Sequence, residues 1–162
     1  MPRIYACGSR NDAFDDFCHA HATAKPDEFI VLLVDSEDPV TLPPWQHLKA
    51  RDGWDCPTGA TDDQAQMMVT CMETWIVADR EALRRVFGSA LRETHLPATT
   101  GLEARGRDQV QNALERATAA CVLARRYQKG RRSFQTLAEV KPEALEGLPH
   151  FQRLLTLLQD RC

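Results

Sequence analysis

The sequence predicts an α/β domain: a small parallel sheet flanked by helices, followed by a mostly helical C-terminal half. Phe29-Ile30-Val31-Leu32-Leu33-Val34 is apolar at every position, as in a strand covered on both faces. An alternating segment at 3–7, a helical pattern up to about Thr23 and this apolar run then make a strand–helix–strand unit, which implies parallel pairing. From Arg107 onward the apolar residues recur at helical spacing.

Each element has its own signal. Gly8-Ser9-Arg10-Asn11-Asp12 carries helix-start chemistry. Phe14, Phe17, Cys18 and His21 then share one helix face, and Lys25-Pro26-Asp27 ends it. Residues 39–61 form a long connection rich in Pro and Gly, with Trp45 and Trp54 inside it and a short helical turn expected over 45–49. Residues 66–70, centred on Met67-Met68-Val69, read as another short strand. Met72, Trp75, Ile76, Leu83, Val86 and Phe87 keep a helical period to Gly88, with a break near Asp79. Residues 107–126 make the clearest helix. Tyr127 to Arg132 is a basic turn, Ser133 caps a shorter helix, Pro142 opens another turn, and Leu148, Phe151, Leu154, Leu155 and Leu158 line a final amphipathic helix.

Composition bounds the function. The chain has 162 residues and a formal net charge of −3, which fits one domain and leaves no global basic field to drive nonspecific nucleic-acid binding. No secretory signal and no membrane-length apolar stretch is visible, so a cytoplasmic protein with no membrane association is expected. The six cysteines lack paired spacing, as in a reduced protein. Cys18-His19-Ala20-His21 looks briefly like a zinc cluster, but its spacing points Cys18 and His21 at the helix face of Phe14 and Phe17. Gly-x-Ser-x-Gly, Gly-x-Gly-x-x-Gly and Walker-type loops are absent. His47, His95 and His150 stand alone in expected loops.

The chemistry is expected at strand ends. Asp35-Ser36-Glu37-Asp38 follows the first apolar run directly, and ligands of open α/β sheets bind at strand carboxyl ends. Adjacent carboxylates repel unless a cation or proton intervenes, and a hard divalent ion, magnesium above all, suits oxygen ligands. Turn capping and solvation are the plain alternative. Glu73 follows the second strand as Asp35 follows the first. It is either a further metal ligand beside Asp35 and Glu37 or a helix N-terminal carboxylate favoured by the dipole. Asp62 and Asp63 precede that strand and serve as a cap or loop. Lys129, Arg131, Arg132 and Ser133 in the basic turn are candidate phosphate ligands. Metal-bound acids with a nearby cation suit phosphodiester chemistry.

Leu33-Val34-Asp35-Ser36-Glu37, Met68-Val69-Thr70-Cys71-Met72-Glu73-Thr74-Trp75, Ala78-Asp79 and Tyr127-Gln128-Lys129-Gly130 together resemble an uncharacterised bacterial family related to the Toprim domain and often encoded beside ATPase genes. The resemblance runs over nearly the whole chain, and Met-Glu-x-Trp is its most specific part. It implies a sheet that holds magnesium, or manganese, for strand cleavage or nucleotidyl transfer. Asp35 and Glu37 stand where Toprim proteins carry Asp-x-Asp, Glu73 is a further acid, and Lys129 is the counterpart of the lysine in Toprim nucleases of the overcoming-lysogenization-defect type. The strand ending in Glu-Gly that normally opens such domains has no counterpart here, since no glutamate precedes Glu28. Residues 1–162 are therefore expected to be a single Toprim-like domain lacking an N-terminal strand. Its bare sheet edges favour pairing with another chain, including a second copy. Two functions follow: a magnesium-dependent nuclease or nuclease-related subunit in a defence system, with Glu73 and Lys129 catalytic, or a noncatalytic partner of an ATPase. A small-molecule or nucleotide binder using the same strand ends is a third.

Overall fold

A computed structural model describes residues 2–123 and 126–161, apart from the Arg131 side chain. β1 (Leu32–Asp35) and β2 (Ala65–Met68) lie side by side and parallel, with Leu32 beside Ala65 and Asp35 beside Met68. Backbone pairing continues past both strands: Ser36 N–H donates to Met68 O at 3.1 Å and Glu37 N–H to Thr70 O at 2.8 Å. The carboxyl ends of the two strands are thereby held in one rim.

The strand–helix–strand unit is β1–α2–β2, one element later than the sequence suggests. α2 (Pro44–Asp52) is a nine-residue helix where a single turn was expected. Pro44 sits at its first position, where a missing N–H is harmless, and Gly53 closes it with a left-handed φ of 76°. Residues 3–7 carry no strand. Ile4 is 90% and Tyr5 78% exposed, so their alternation has no partner and no core face to fill.

α1 (Arg10–Thr23) begins with a capping box: Asp12 N–H donates to Ser9 Oγ at 3.2 Å and Ser9 N–H to Asp12 Oδ2 at 2.6 Å. Phe17 is buried between α1 and the sheet half of the core, with Leu32, Val34, Trp45, Leu48, Trp54, Met67 and Val69. Phe14 stacks on Trp54 at 4.5 Å. The two tryptophans of the long connection are thus internal packing.

The helical half has its own core. α3 (Met72–Ala78) and α4 (Arg80–Phe87) are separated at Asp79, whose carboxylate accepts Ala82 N–H at 2.8 Å and starts the second helix. α5 (Arg107–Thr118), α6 (Arg131–Leu137) and α7 (Pro149–Arg161) complete it. Trp75 meets Phe151 edge-on at 5.3 Å, and Leu83, Val110 and Leu114 are fully buried among them. α5 stops eight residues before its expected end. The Thr118 hydroxyl donates to Leu114 O at 3.0 Å and accepts Tyr127 N–H at 3.0 Å, so the chain turns back there. No helix among the described residues is long and apolar enough to cross a membrane.

Candidate functional site

Asp35 is the last residue of β1, and Glu73 is the second residue of α3, just beyond β2. Parallel pairing places both at the same rim. Asp35 Oδ1 accepts Met72 N–H at 2.8 Å, so its carboxylate sits against the first turn of α3. Burial, with the Glu73 charge second, pushes its carboxyl up to about 6, against partial relief from the Met72 bond, Lys129 and Arg10.

Glu73 is almost fully buried, at 1% exposure. Its Oε1 accepts the Tyr127 hydroxyl and its Oε2 accepts Gln111 Nε2 at 3.1 Å. Burial opposes its charge, yet these donors outweigh it and hold Glu73 below the ordinary carboxylate range. Burial and the Glu73 charge push the Tyr127 hydroxyl up, so it stays a donor. Between the two acids, Cys71 is a buried thiol raised by burial, then by Glu73, to about 12, which leaves it protonated and inert as a nucleophile.

The candidate residues divide. Glu73 and Lys129 are each within electrostatic reach of Asp35. Glu37 lies at the same rim, but its Oε2 is ion-paired with Arg107 Nη1 at the start of α5. Among the described residues no group of three or more His, Cys, Asp or Glu side chains is arranged to hold a metal ion. Asp35, Glu37 and Glu73 therefore do not gather as a ready three-acid cage. Lys129 is exposed and Arg132 half-buried, while the side chain of Arg131 is outside the described residues. Ser133 is fully buried: its hydroxyl donates to Gly130 O at 2.7 Å and accepts Gly130 N–H at 3.0 Å. It closes the turn and presents no hydroxyl to a surface phosphate.

A family model, the domain of unknown function DUF4276, matches residues 8–159. The chain belongs to this family. No curated protein and no solved structure matches it.

At this rim Asp35 and Glu73 are the two acids that could hold a divalent cation. Each ionised carboxylate oxygen has a second lone pair, so the bonds from Tyr127 and Gln111 orient Glu73 without using up its acceptor capacity. Magnesium is commonly held by one or two carboxylates, with waters and substrate phosphates filling the rest. Hydrogen-bonded ligating carboxylates are the rule at such sites.

Elsewhere two expectations change. His47 is buried in α2, with Nε2 at 3.0 Å from Ser36 O, so it props the backbone under the rim. His150 opens α7, where Nδ1 meets Glu103 Oε2 at 2.6 Å. Asp62 Oδ1 accepts Trp45 N–H at 3.1 Å and caps α2, in line with the cap role expected of it. Sequence reasoning missed Tyr127, Gln111 and Arg107 as site residues. Arg107 did leave a signal: a cation in the first turn of a helix opposes the dipole, which suggests a nearby acid.

Proposed function

We propose that this domain is a magnesium-dependent phosphodiester enzyme of Toprim-like type, a nuclease or the nuclease-related subunit of a larger assembly. The observation that supports the reading is the approach of two acids from two parallel strand ends, the half-buried Asp35 against the first turn of α3 and the buried Glu73 within it. Asp35 and Glu73 would hold the cation, which when bound lowers the pKa of water and neutralises charge on phosphate. Tyr127 and Gln111 keep Glu73 anionic and aimed. Lys129, exposed beside the rim, steadies negative charge on the phosphate.

The test is calorimetry with magnesium, and separately manganese, on the parent and on Asp35→Asn, alongside cleavage of plasmid DNA. The substitution is expected to abolish cation heat and cleavage while leaving the fold intact. Unchanged cation affinity overturns the reading. Lys129→Ala is expected to lower cleavage with cation affinity preserved.

The second reading is a noncatalytic partner subunit. It is favoured by Val122, Leu123 and Phe134 in the helical half, which are 68%, 73% and 65% exposed. Large apolar residues in the open are enriched at protein contacts. This reading expects Asp35→Asn to leave assembly with a partner ATPase unchanged and Leu123→Asp to weaken it.

A further inference from the structure

Glu37 and Arg107 form the only ion pair among the described residues that joins the strand-end rim to α5. Glu37 follows β1 by two residues, and its N–H is fixed on Thr70 O at 2.8 Å. Arg107 is the first residue of α5, after Gly106, a cap residue that offers no side chain to the helix start. The Arg105 carbonyl accepts the Thr70 hydroxyl at 3.1 Å, which ties the approach to α5 onto the end of β2. The pair is asymmetric: the Glu37 side chain is 12% exposed and the Arg107 side chain 36%. The acid is the inner partner, and the guanidinium is open to solvent. Among the described residues Arg107 is also ion-paired with Asp108, 3.6 Å from its Nε and itself 83% exposed.

A guanidinium fork recognises carboxylate and phosphate with the same geometry. Glu37 Oε2 holds one prong of that guanidinium, Nη1, a place that a phosphate oxygen could also take. We propose that Arg107 is a phosphate-positioning residue of this rim and that Glu37 is its built-in occupant, displaced by an arriving phosphate. This rests on the reading of the rim as a cation and phosphodiester site, and it gives that site a substrate-linked step.

The experiment measures two ligands separately by calorimetry. Inorganic phosphate is titrated without divalent cation, and magnesium chloride without phosphate, into the parent, Glu37→Gln, Arg107→Gln, Arg107→Lys and Asp35→Asn. Glu37→Gln is expected to bind phosphate about tenfold more tightly than the parent, because the internal competitor is gone. Arg107→Gln is expected to lose phosphate affinity by about tenfold or more. Arg107→Lys keeps the charge without the fork and is expected to fall between. Thermal melts confirm that each variant is folded; if Arg107→Gln is not, Arg107→Lys and Glu37→Gln carry the test. Phosphate affinity of Glu37→Gln within about twofold of the parent, or absent in both, overturns the proposal. Failure of the underlying reading looks different: the parent and Asp35→Asn then bind magnesium equally, whatever the phosphate titrations show.

Discussion

Asp35 ends β1 in surroundings that resist its charge, while Glu73 opens α3 in surroundings that support it. Glu73 is almost fully buried and Asp35 only half-buried, so burial alone would make Glu73 the acid that resists charge. The donors reverse that order. Glu73 receives the Tyr127 hydroxyl and the Gln111 amide; Asp35 receives one backbone N–H and faces the Glu73 charge. One acid is fixed as an anion and the other is balanced between proton and charge. Pairs of titratable groups pushed apart in this way mark sites where protons or cations are handled. The lesson is that the helical half, through Tyr127 and Gln111, sets the electrostatics of a rim built by the sheet half.

Breaking the weaker side of that comparison has the largest expected effect. The Asp35 carboxyl is raised from 3.8 to about 6 in the folded protein. Between those values the folded state keeps a proton that the unfolded chain has shed. Asp35 therefore opposes folding increasingly as pH rises through this window, and its penalty is complete above it and absent below it. Asp35→Asn removes the penalty, and a two-unit shift corresponds to up to about 3 kcal/mol of added stability near neutral pH. Urea unfolding of parent and variant across the window checks this: the gap is expected to widen from acid to neutral pH. A variant no more stable than the parent at neutral pH ends the claim that Asp35 is the disfavoured acid. Such a gain in stability on loss of activity is what a strained functional site produces.

Much of this rim was legible in the sequence because each acid directly follows an apolar run. A strand end is a local signal, and so are the break at Asp79 and the helix start at Ser9. The partners were not legible because they are distant in the chain. Tyr127 lies 54 residues from Glu73, and Arg107 lies 70 from Glu37. Periodicity reports which face of an element is apolar, and it is silent about what packs there. Residues 3–7 fail for the same reason: the alternation is present, but no neighbouring strand receives it. The excess length expected of α5 has a different cause. Helical spacing continues past Thr118, but the hydroxyl of that residue satisfies Tyr127 N–H and fixes a turn, which a pattern of apolar residues cannot register.

The stronger side of the comparison is tested by Tyr127→Phe. The ring keeps its packing, and Glu73 Oε1 loses its donor in a buried site. An unsatisfied buried group of this kind costs about 2 kcal/mol, a smaller effect than that of Asp35→Asn and opposite in sign. The pH signature is opposite too. Glu73 is held below its ordinary 4.5, so it contributes stability that is present above that value and lost as pH falls through the lower, folded one. With Tyr127 altered, the Glu73 carboxyl rises and less stability remains to be lost on acidification. Unfolding curves near neutral and near pH 4 measure both parts; an unchanged acid limb places the support of Glu73 elsewhere than in Tyr127.

Glu37 supplies the smallest and sharpest comparison, because its backbone can be separated from its side chain. Its φ is 67°, in the left-handed region that a Cβ disfavours by roughly 1–2 kcal/mol. Glu37→Ala and Glu37→Gly both delete the Arg107 pair, and only glycine relieves the backbone. The glycine variant is therefore expected to be more stable than the alanine variant by about 1 kcal/mol, the left-handed relief less the extra chain entropy that glycine loses on folding. Equal stability of the two variants would mean the backbone at this position relaxes once Arg107 lets go. In that case it is the ion pair, and not the sheet-end hydrogen bond from Glu37 N–H to Thr70, that holds the rim in its present shape.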